Sequence, residues 1–533
     1  MKLKGADVRS TMSRSMLLLL VTACGPPARP VDVLVYASGT DLESANPLVT
    51  IHPLSRQIQR YALFVTLARY DSALSPQPYA ARRWSWSNGN RELTLNLVSA
   101  LRWHDGKPFT AADVAFTLLA GRDSRTGYAR SADLAVIDSV VASNDSTAVV
   151  RFRDAQPAFP PVFCELPIVP AHLLATVPRG DLRRAAYNLS PVGDGPFRFV
   201  ERRSGQLWRF ERNADFPPEL GGPPKLGGIV VAVVDEATTK FAGLASGDLD
   251  VAGIAPTMAS LVRKDPSLRV IQYPVLFTTG IVFNVHRPPF DDARVRRAVD
   301  LSIDRQRLID VALAGFGTPA FGPAPPENPL AVASTRGRDT RIADSLLDAA
   351  GWITGQGNAR SRKGHALSFE LLTVGSSDNA IEQLIQSDLA ARGIEMRIRQ
   401  MEGGAFLTEA RASDKRFDAL ITGVPGDLSL SYVAAMFEGA QRHGSLDYAD
   451  FHVGRLDSLF AATRRAASDG ERRRAWSDVQ KLLIDSMPVV WVYHSRGVQG
   501  VSARLANVHM DVRGELASLA SWTALGPPGT RSK

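Results

Sequence analysis

Residues 280–315 of the 533-residue chain read GIVFNVHRPPFDDARVRRAVDLSIDRQRLIDVALAG, and this stretch decides the fold. Its apolar run at residues 281–283 predicts the end of a buried strand. The Pro-Pro pair that follows must end that strand, because proline has no N–H to give to a strand ladder. Asp291 or Asp292 then stands where a carboxylate would cap a helix at the positive end of its dipole. The stretch therefore predicts a strand, a rigid turn and a helix in succession.

The predicted helix has one apolar face and one charged face. Apolar or small residues recur at helical spacing along the first face: Val295, Ala298, Val299, Ser302, Ile303, Ile309 and Ala312. The second face carries Arg294, Arg296, Arg297, Asp300, Asp304, Arg305 and Arg307. Charge runs of this kind usually lie in water, so we expect these arginines to be solvated.

Length and composition indicate an ordinary multidomain globular protein. A chain of 533 residues is too long for one compact core and implies two or three domains. Apolar residues make up 45% of the chain and charged residues 22%, which is typical of folded domains. The formal net charge is +8, but no clustered basic stripe accompanies it. Composition therefore argues against a nucleic-acid partner.

The first 23 residues are typical of an export signal. Arg14 precedes the apolar run 16–21, and small residues follow. The run is too short to span a bilayer, and no later apolar run approaches the length of about 18 residues that a transmembrane helix needs. The segment before the run is long, which leaves both Met1 and Met12 open as the start of translation.

Residues 21–24, Val-Thr-Ala-Cys, resemble a bacterial lipobox. The resemblance implies that Cys24 is diacylated and becomes the mature N-terminus, with residues 24–30 as a Pro-rich tether to the membrane. An incidental or buried cysteine is the alternative. Cys164 is the other cysteine of the chain, so lipidation of Cys24 excludes an intramolecular disulfide, and we expect Cys164 to be a small buried apolar residue.

Enzyme motifs are missing from the sequence. It contains no nucleophile elbow, P-loop, metalloprotease helix or paired-cysteine metal spacing. The nine histidines are scattered, and none has a second histidine at i+3 or i+4. His104 and Asp105 adjoin each other at a turn, where neighbours rarely face one another, so they do not indicate a catalytic pair. We therefore expect no enzyme, no cofactor and no metal site, with a secreted hydrolase as a rival.

Four further segments and the stretch 280–315 resemble one protein family. The segments read LRWHDGKPFTAADVAF (101–116), PVGDGPF (191–197), ERNADF (211–216) and ADSLLDAAGW (343–352). In this order and at these distances they are similar to the extracytoplasmic solute-binding proteins of ABC importers, family 5, which include dipeptide, oligopeptide and nickel binders. The resemblance covers nearly all of residues 31–500.

The resemblance implies an α/β fold of two lobes. This is the periplasmic-binding-protein fold of class C (type II), with mixed sheets flanked by helices and a ligand cleft between the lobes. The implied divisions are a lipoprotein signal peptide at 1–23, the lipidated cysteine and tether at 24–30, lobe I at 31–272 with a subdomain at about 55–190, lobe II at 273–488, and a return to lobe I with a C-terminal tail at 489–533. Strands that cross between the lobes near 270–276 and 487–491 would form a hinge, which a ligand touching both lobes would close.

The same resemblance implies a solute-binding lipoprotein. It would capture a peptide-like solute, a di- or oligopeptide, and deliver it to the permease subunits of an ABC importer. It would act as a monomer in the periplasm or cell envelope, held to the membrane by its lipid. A nickel chelate, haem, an oligosaccharide or an opine-like amine stays open as the ligand, as does a sensor or chaperone module without a permease.

Asp427 is the first candidate for ligand binding. It lies in LITGVPGDLS (420–429), which stands where the family has a loop whose aspartate pairs with the α-ammonium of a peptide. Loss of one partner from such a buried ion pair costs about 3–5 kcal/mol. Thr422 and Leu428 replace the Trp and Pro of the family loop, which leaves peptide specificity open. An aspartate that only caps the following helix is the alternative.

A second candidate is the strand segment Thr278, Thr279 and Gly280. In peptide binders the equivalent backbone pairs with an extended ligand by strand addition, and a plain buried strand is the alternative. Further candidates for the cleft lining are Ser38, Thr40 and Trp103. Trp103 has an ordinary core position as its alternative, because aromatic side chains fill cores more often than pockets.

Overall fold

The structure is a computed structural model that describes residues 29–156, 158–333, 337–375, 379–466 and 468–525. The predicted signal peptide at 1–23 and the predicted lipidation site Cys24 lie outside the described residues. Within the described ranges, no helix combines the length and the apolar character that crossing a bilayer requires.

The sheets of the protein are built from the following strands. In chain order the described strands are β1 (Val33–Ser38), β2 (Ala68–Tyr70), β3 (Pro76–Pro78), β4 (Ala81–Ser87), β5 (Glu92–Leu97), β6 (Ile137–Asn144), β7 (Thr147–Phe152), β8 (Phe197–Arg203), β9 (Leu207–Arg212), β10 (Gly228–Val233), β11 (Val251–Gly253), β12 (Leu268–Phe283), β13 (Gly317–Pro319), β14 (Ile353–Thr354), β15 (Arg360–Arg362), β16 (His365–Ala366), β17 (Ser368–Val374), β18 (Glu395–Met401), β19 (Ala419–Pro425), β20 (Val489–Ser502), β21 (Leu505–Ala506) and β22 (Thr523–Ala524).

The α-helices flank these sheets. In chain order the described helices are α1 (Pro53–Ile58), α2 (Ala111–Arg122), α3 (Ser131–Leu134), α4 (Val162–Glu165), α5 (Ala171–Leu174), α6 (Ala237–Ser246), α7 (Ala259–Val262), α8 (Ala293–Ser302), α9 (Arg305–Ala312), α10 (Thr340–Ala349), α11 (Ala380–Ala390), α12 (Gly403–Arg411), α13 (Ser431–Phe437), α14 (Gly454–Arg465) and α15 (Asp469–Ser486).

One mixed sheet runs through the molecule. Its strand order is β18-β17-β19-β12-β20-β11-β1-β10-β9-β8, with β13 added on β20. β17 is parallel to β18 and β19, while β1 is parallel to β10 and β11. β12 and β20 are antiparallel at the centre, and their pairing is interrupted between Pro274 and Thr278. These two long strands therefore join a parallel group of strands on each side.

Separate sets of buried side chains define the two lobes. The first core draws its residues from 34–251 and 501–522, and we call this part lobe I. Two further cores draw theirs from 281–492, and we call this part lobe II. The protein is thus the predicted α/β protein of two lobes. The chain positions predicted for the lobe boundaries stay a prediction.

Lobe I also contains a separate four-stranded sheet with the order β4-β5-β7-β6. The turn between β4 and β5 contains Asn88, Gly89 and Asn90, all with positive φ. An Asn-Gly pair supplies this backbone conformation in a hairpin. α2 packs beside the sheet and begins with a capping box of Thr110 and Asp113. Both local patterns were readable from the sequence.

The stretch 280–315 forms the predicted strand, turn and helix, but with two helices where one was predicted. Asp292 caps α8, as expected. Ile303 is extended, and Asp304 caps α9 in turn. Aspartate favours caps over helix interiors because its carboxylate binds free backbone N–H groups. Asp304 therefore starts a second helix in the middle of the periodic pattern.

The expectation that the arginines of this stretch lie in water is wrong for Arg296 and Arg305, which are buried. Arg296 donates at 2.6–2.9 Å to the carbonyl oxygens of Phe290, Ser486 and Met487. Arg305 donates to the carbonyl oxygen of Trp491 at 2.7 and 2.9 Å. A guanidinium has five N–H donors and suits this role. Both side chains fasten α8 and α9 to the chain that enters β20.

Candidate functional site: a cleft between the lobes

Three cavities share Tyr70 as a lining residue. The interlobe cavity measures about 460 Å³ and opens between the lobes. The lobe I cavity measures about 610 Å³ and is walled by lobe I alone. The central cavity, of about 130 Å³, lies where the pairing of β12 and β20 is interrupted. Ligand sites usually measure about 300–1,000 Å³, so the cavities around Tyr70 are the best candidate for a ligand site.

Both lobes contribute to the wall of the interlobe cavity. Lobe I supplies Asp133 of α3 and the segment 158–162. Lobe II supplies Ser431 of α13, Arg464 of α14 and Trp476 of α15. A solute in this cavity would touch both lobes, and contact with both lobes is what allows a ligand to favour the closed arrangement.

Asp427 lies just after β19, on the wall of the central cavity. Its Oδ1 accepts hydrogen bonds from the N–H groups of Ser429 and Ser431 at 2.8 and 3.0 Å. Its Oδ2 is buried and has no hydrogen-bond partner among the described residues. A buried carboxylate oxygen without a donor is costly. Asp427 thus holds the start of α13 with one oxygen, as the capping alternative predicted, while its other oxygen is buried without a hydrogen bond.

Arg130 of lobe I faces this carboxylate, with its Nε 3.7 Å from Asp427 Oδ2. The same guanidinium pairs with Glu165 and, at 2.7 Å, with Asp133. The hydroxyl of Ser431 in turn donates to Asp133 Oδ2 at 2.5 Å. We call Arg130, Asp133, Glu165 and Asp427 the interlobe network, because it joins lobe I to lobe II.

Burial and charge move the pKa values of the two aspartates in opposite directions. Burial acts to raise the pKa of Asp427, but Arg130 and the hydrogen bonds from Ser431 and Ser429 hold it below its ordinary value. Burial raises the pKa of Asp133 despite Arg130, and the charge of Asp427 adds to that rise. Asp427 is therefore the carboxylate that stays ionised, and Asp133 is the one that takes up a proton first.

Two further arginines of lobe I border the network. Arg60 Nη2 lies 3.9 Å from Glu165 Oε2. The Arg56 guanidinium lies 5.0 Å from the ring centre of Tyr432, which belongs to α13 of lobe II. With Arg130, they balance the three carboxylates of the interlobe network. The charges at the junction therefore sum to about zero.

The structure contradicts strand addition at Thr278, Thr279 and Gly280. All three residues pair with β19 on one side and with β20 on the other, so neither backbone edge is left for a ligand. The Thr278 hydroxyl lies 2.9 Å from His494 Nδ1 and donates to a carbonyl oxygen of lobe II. The alternative of a plain buried strand is correct. The edge that lacks β20 lies just before, at residues 275–277, on the wall of the central cavity.

The other predicted cleft residues lie away from the three cavities. The Ser38 hydroxyl donates to the Thr40 carbonyl at 2.6 Å, and the Thr40 hydroxyl lies 2.8 Å from His52 Nε2. Trp103 is buried in the core of lobe I and donates from Nε1 to Asp113 at 3.2 Å. Trp103 as a cleft residue is therefore wrong, and the core alternative is correct. Ligand contact by Ser38 and Thr40 stays a prediction.

His104 and Asp105 do not pair with each other, as expected. His104 Nε2 lies 3.0 Å from the Gly195 carbonyl oxygen, and Asp105 lies 2.8 Å from His172 Nε2. Burial lowers the pKa of His104 to about 4. The imidazole is therefore neutral near pH 7 and belongs to the packing of lobe I.

Sequence analysis missed Arg130, Asp133 and Glu165. The sequence offered one indication, the i,i+3 spacing of Arg130 and Asp133. The same spacing of opposite charges is common on exposed helices, so it does not indicate a buried site. Their partners Ser429 and Ser431 in lobe II are 299 and 298 positions away along the chain. A local sequence pattern cannot predict contacts between residues so far apart along the chain.

The fold and the site define a two-lobed binding protein whose cleft lies at the junction of the lobes. A family model described as "Bacterial extracellular solute-binding proteins, family 5 Middle" matches residues 75–440. The chain belongs to this family. It is therefore an extracytoplasmic solute-binding protein.

Two curated relatives extend along most of the chain. Protein XP55 of Streptomyces lividans is 28% identical over 440 residues, which cover 81% of this chain and 78% of that protein. The oligopeptide-binding protein AppA of Bacillus subtilis is 23% identical over 518 residues, which cover 94% of this chain and 93% of that protein.

Solved structures share the fold. AppA of Bacillus subtilis in complex with a nonapeptide aligns with a TM-score of 0.82 at 22% identity, over 93% of this chain and 99% of that one. NikZ of Campylobacter jejuni in complex with Ni(L-His) also gives 0.82, at 20% identity, over 93% and 100% of the two chains. DppA of Helicobacter pylori with the peptide STSA gives 0.80 at 19% identity, over 93% and 98%. At these identities the likeness describes the fold alone.

Proposed function

We propose that this protein captures a peptide between its lobes and delivers it to the permease of an ABC importer. The observation that carries the proposal is the buried Asp427 Oδ2, which lacks a hydrogen bond beside the central cavity. A peptide α-ammonium would bring a positive charge and three N–H donors to this oxygen. Asp427 would then anchor the N-terminus of the ligand.

The ammonium would compete with Arg130 for Asp427. Arg130 has two other carboxylates to pair with, those of Asp133 and Glu165, and its Nε lies farther from Asp427 than a hydrogen bond would allow. Arg130 therefore keeps two carboxylate partners when an ammonium approaches Oδ2. The pairing would favour peptides with a free N-terminus over blocked ones.

The three cavities around Tyr70 support a ligand with several side chains. The central cavity would hold the N-terminal residue, and the interlobe cavity and the lobe I cavity, of about 460 and 610 Å³, share Tyr70 with it as a lining residue. Several neighbouring cavities suit a peptide better than one compact solute. The oligopeptide-binding protein AppA, which was solved in complex with a nonapeptide, supports this choice of ligand.

The experiment is native mass spectrometry of the leader-free protein, from Gly25 onward, followed by a thermal-shift screen. A ligand that binds only the folded state stabilises it by RT ln(1 + [L]/Kd), about 2.7 kcal/mol at a hundredfold excess over Kd. We expect adducts at peptide masses and upward shifts with peptides. A response only to nickel chelates or sugars would keep the solute-binding role and remove the peptide.

We also propose that a lipid on Cys24 holds the mature protein, a monomer, to the membrane. Arg29, close after Cys24, pairs with Asp250 of lobe I at 3.0 Å, so the tether would join the membrane directly to that lobe. We expect Cys24→Ser to fold normally but to leave the membrane fraction in cell fractionation. Retention of this variant on the membrane would refute the anchor.

A further inference from the structure

A second cluster of side chains able to bind a ligand lies in lobe II, on the segment between α13 and α14. Asp447, Asp450 and His452 place two carboxylate oxygens and a ring nitrogen within 4.8 Å of one another. His452 Nε2 lies 3.0 Å from Asp447 Oδ1 and 4.0 Å from Asp450 Oδ1. None of the three residues lines the cavities of the cleft. The cluster is therefore independent of the solute site.

His452 is held with Nε2 turned toward both carboxylates. Its other nitrogen, Nδ1, lies 3.2 Å from the carbonyl oxygen of Phe437, to which it must donate. The His452 side chain is only 4% exposed, and neither its Nε2 nor Oδ1 of Asp450 makes a hydrogen bond to a described residue. Metal-binding histidines have this arrangement, because a carbonyl that accepts the N–H fixes the tautomer.

We propose that Asp447, Asp450 and His452 bind one divalent cation of the first transition row, with Zn²⁺ as the best fit. One imidazole nitrogen and two carboxylate oxygens suit such an ion, whereas Ca²⁺ takes six to eight oxygens. Zn–N and Zn–O bonds of about 2.0–2.2 Å place neighbouring donors roughly 3–4 Å apart. His452 Nε2 lies 3.0 and 4.0 Å from the two carboxylate oxygens, in the range of these separations. Asp450, whose side chain is 27% exposed, gives the ion its route from solvent.

The protein's own cations near the cluster leave the donor atoms accessible. Lys415 Nζ donates at 2.7 Å to the backbone carbonyl of Asp447 and not to its carboxylate. Arg442 Nε lies 3.8 Å from Asp450 Oδ1, and its side chain is half-exposed and free to turn into water. The N–H groups of His443 and Asp450 donate to the Asp447 carboxylate at 2.8 and 3.1 Å. These bonds orient Asp447 as outer-sphere partners orient a metal ligand.

The ion would fasten the segment that joins two walls of the cleft. α13 carries Ser431 and α14 carries Arg464, and both residues line the interlobe cavity. An ion that binds only the folded state at a hundred times its Kd shifts the folding equilibrium about 100-fold. The cation would therefore stabilise lobe II whether or not a solute is bound.

The test is calorimetric titration of the full chain, freed of metal with EDTA, with ZnCl₂. We expect one Zn²⁺ per chain and an upward shift of the melting temperature. Asp450→Asn and His452→Gln should each weaken binding at least about 10–100-fold, since even changes to outer-sphere partners have effects of that size. His365→Gln, which changes an exposed histidine of β16, is the matched control and should bind as the wild type does.

Several outcomes would overturn the site. These are no Zn²⁺ binding, equal affinity in the wild type and both cluster variants, or competition by CaCl₂ at equal concentration. If a variant does not fold, wild-type crystals soaked in ZnCl₂ decide the question. Anomalous density among Asp447, Asp450 and His452 supports the site, and density elsewhere or nowhere overturns it.

Discussion

The Asp427 loop and the segment 278–280 lie on neighbouring strands, and the sequence predicted both to bind ligand. In the segment, both backbone edges are paired and the Thr278 hydroxyl is bonded. In the loop, Asp427 lies two positions after the last residue of β19, and its Oδ2 is buried without a donor. The difference teaches that two candidates of equal standing in the sequence differ in what the fold leaves free, which is why we propose Asp427, and not the segment, as the binding residue.

The largest effect should come from Asp427→Asn, which keeps the shape of the side chain and removes its charge. Truncation of one partner of a buried charge pair costs about 2–5 kcal/mol, so the Kd for a peptide with a free N-terminus should rise at least about 30-fold. Isothermal titration calorimetry measures this change. The same peptide with an acetylated N-terminus is the control and should bind weakly to both proteins. Unchanged affinity for the free peptide would remove the ammonium anchor.

Gly280→Ala should act on stability and leave binding alone. A Cβ at this position would lie 2.7 Å from Val489 Cγ1 and 3.2 Å from the Val490 carbonyl oxygen. Overpacking of this kind costs about 1–3 kcal/mol, which urea denaturation measures. Gly180→Ala is the matched control, since its Cβ would meet nothing within 4 Å. A Gly280→Ala variant that folds as stably as the wild type but loses peptide affinity would return the segment to the ligand site.

The free energy of unfolding should also depend on pH, through a histidine that contacts the segment 278–280. Burial lowers the pKa of His494, the partner of Thr278, to about 4. Between its ordinary pKa of about 6.5 and pH 4, the unfolded chain binds a proton that the folded chain excludes. Stability should therefore fall with acidification, by about 2 kcal/mol from pH 7 to pH 5 for this histidine. His494→Gln should lose less stability than the wild type over this range, and identical pH profiles would contradict the burial.

Thr278→Val should have the smallest effect. It removes the hydroxyl that donates to the Pro323 carbonyl oxygen at 3.1 Å and leaves that buried oxygen without a donor. The expected loss is about 1 kcal/mol of unfolding free energy, with the peptide Kd changed less than about twofold. Urea denaturation and calorimetry on one preparation separate the two quantities. A tenfold loss of peptide affinity would show that Thr278 contacts the ligand after all.

Much of the fold was predictable because local patterns carry it. The Asn-Gly hairpin, the Thr110 capping box and the Asp292 cap all depend on residues a few positions apart, and all three are present. The same locality explains the errors. Arg296 and Arg305 follow a charged periodicity, yet their partners are carbonyl oxygens of residues 486–491, which no helical pattern reveals.

Only the lobe II part of the candidate site was predictable from the sequence, because the family motif lies in that lobe. Asp427 was found from the loop that contains it. Arg130 was not, because an arginine among small residues has no distinguishing periodicity and its partners belong to the other lobe. A binding site built from both lobes is a tertiary property. Half of it is therefore invisible until the two lobes are placed together.

The interruption between β12 and β20 has a mechanical consequence. The ladder is locally disrupted at this point, so we expect the lobes to rotate about an axis through Pro274 and Thr278. Displacement in a rotation grows with distance from its axis. Asp427, which lines the central cavity at this point, would move least, while the outer edge of the interlobe cavity would sweep the widest arc. As the lobes open, solvent would reach the part of a bound peptide that lies far from the axis first. The N-terminus, bound near the axis, would be released last.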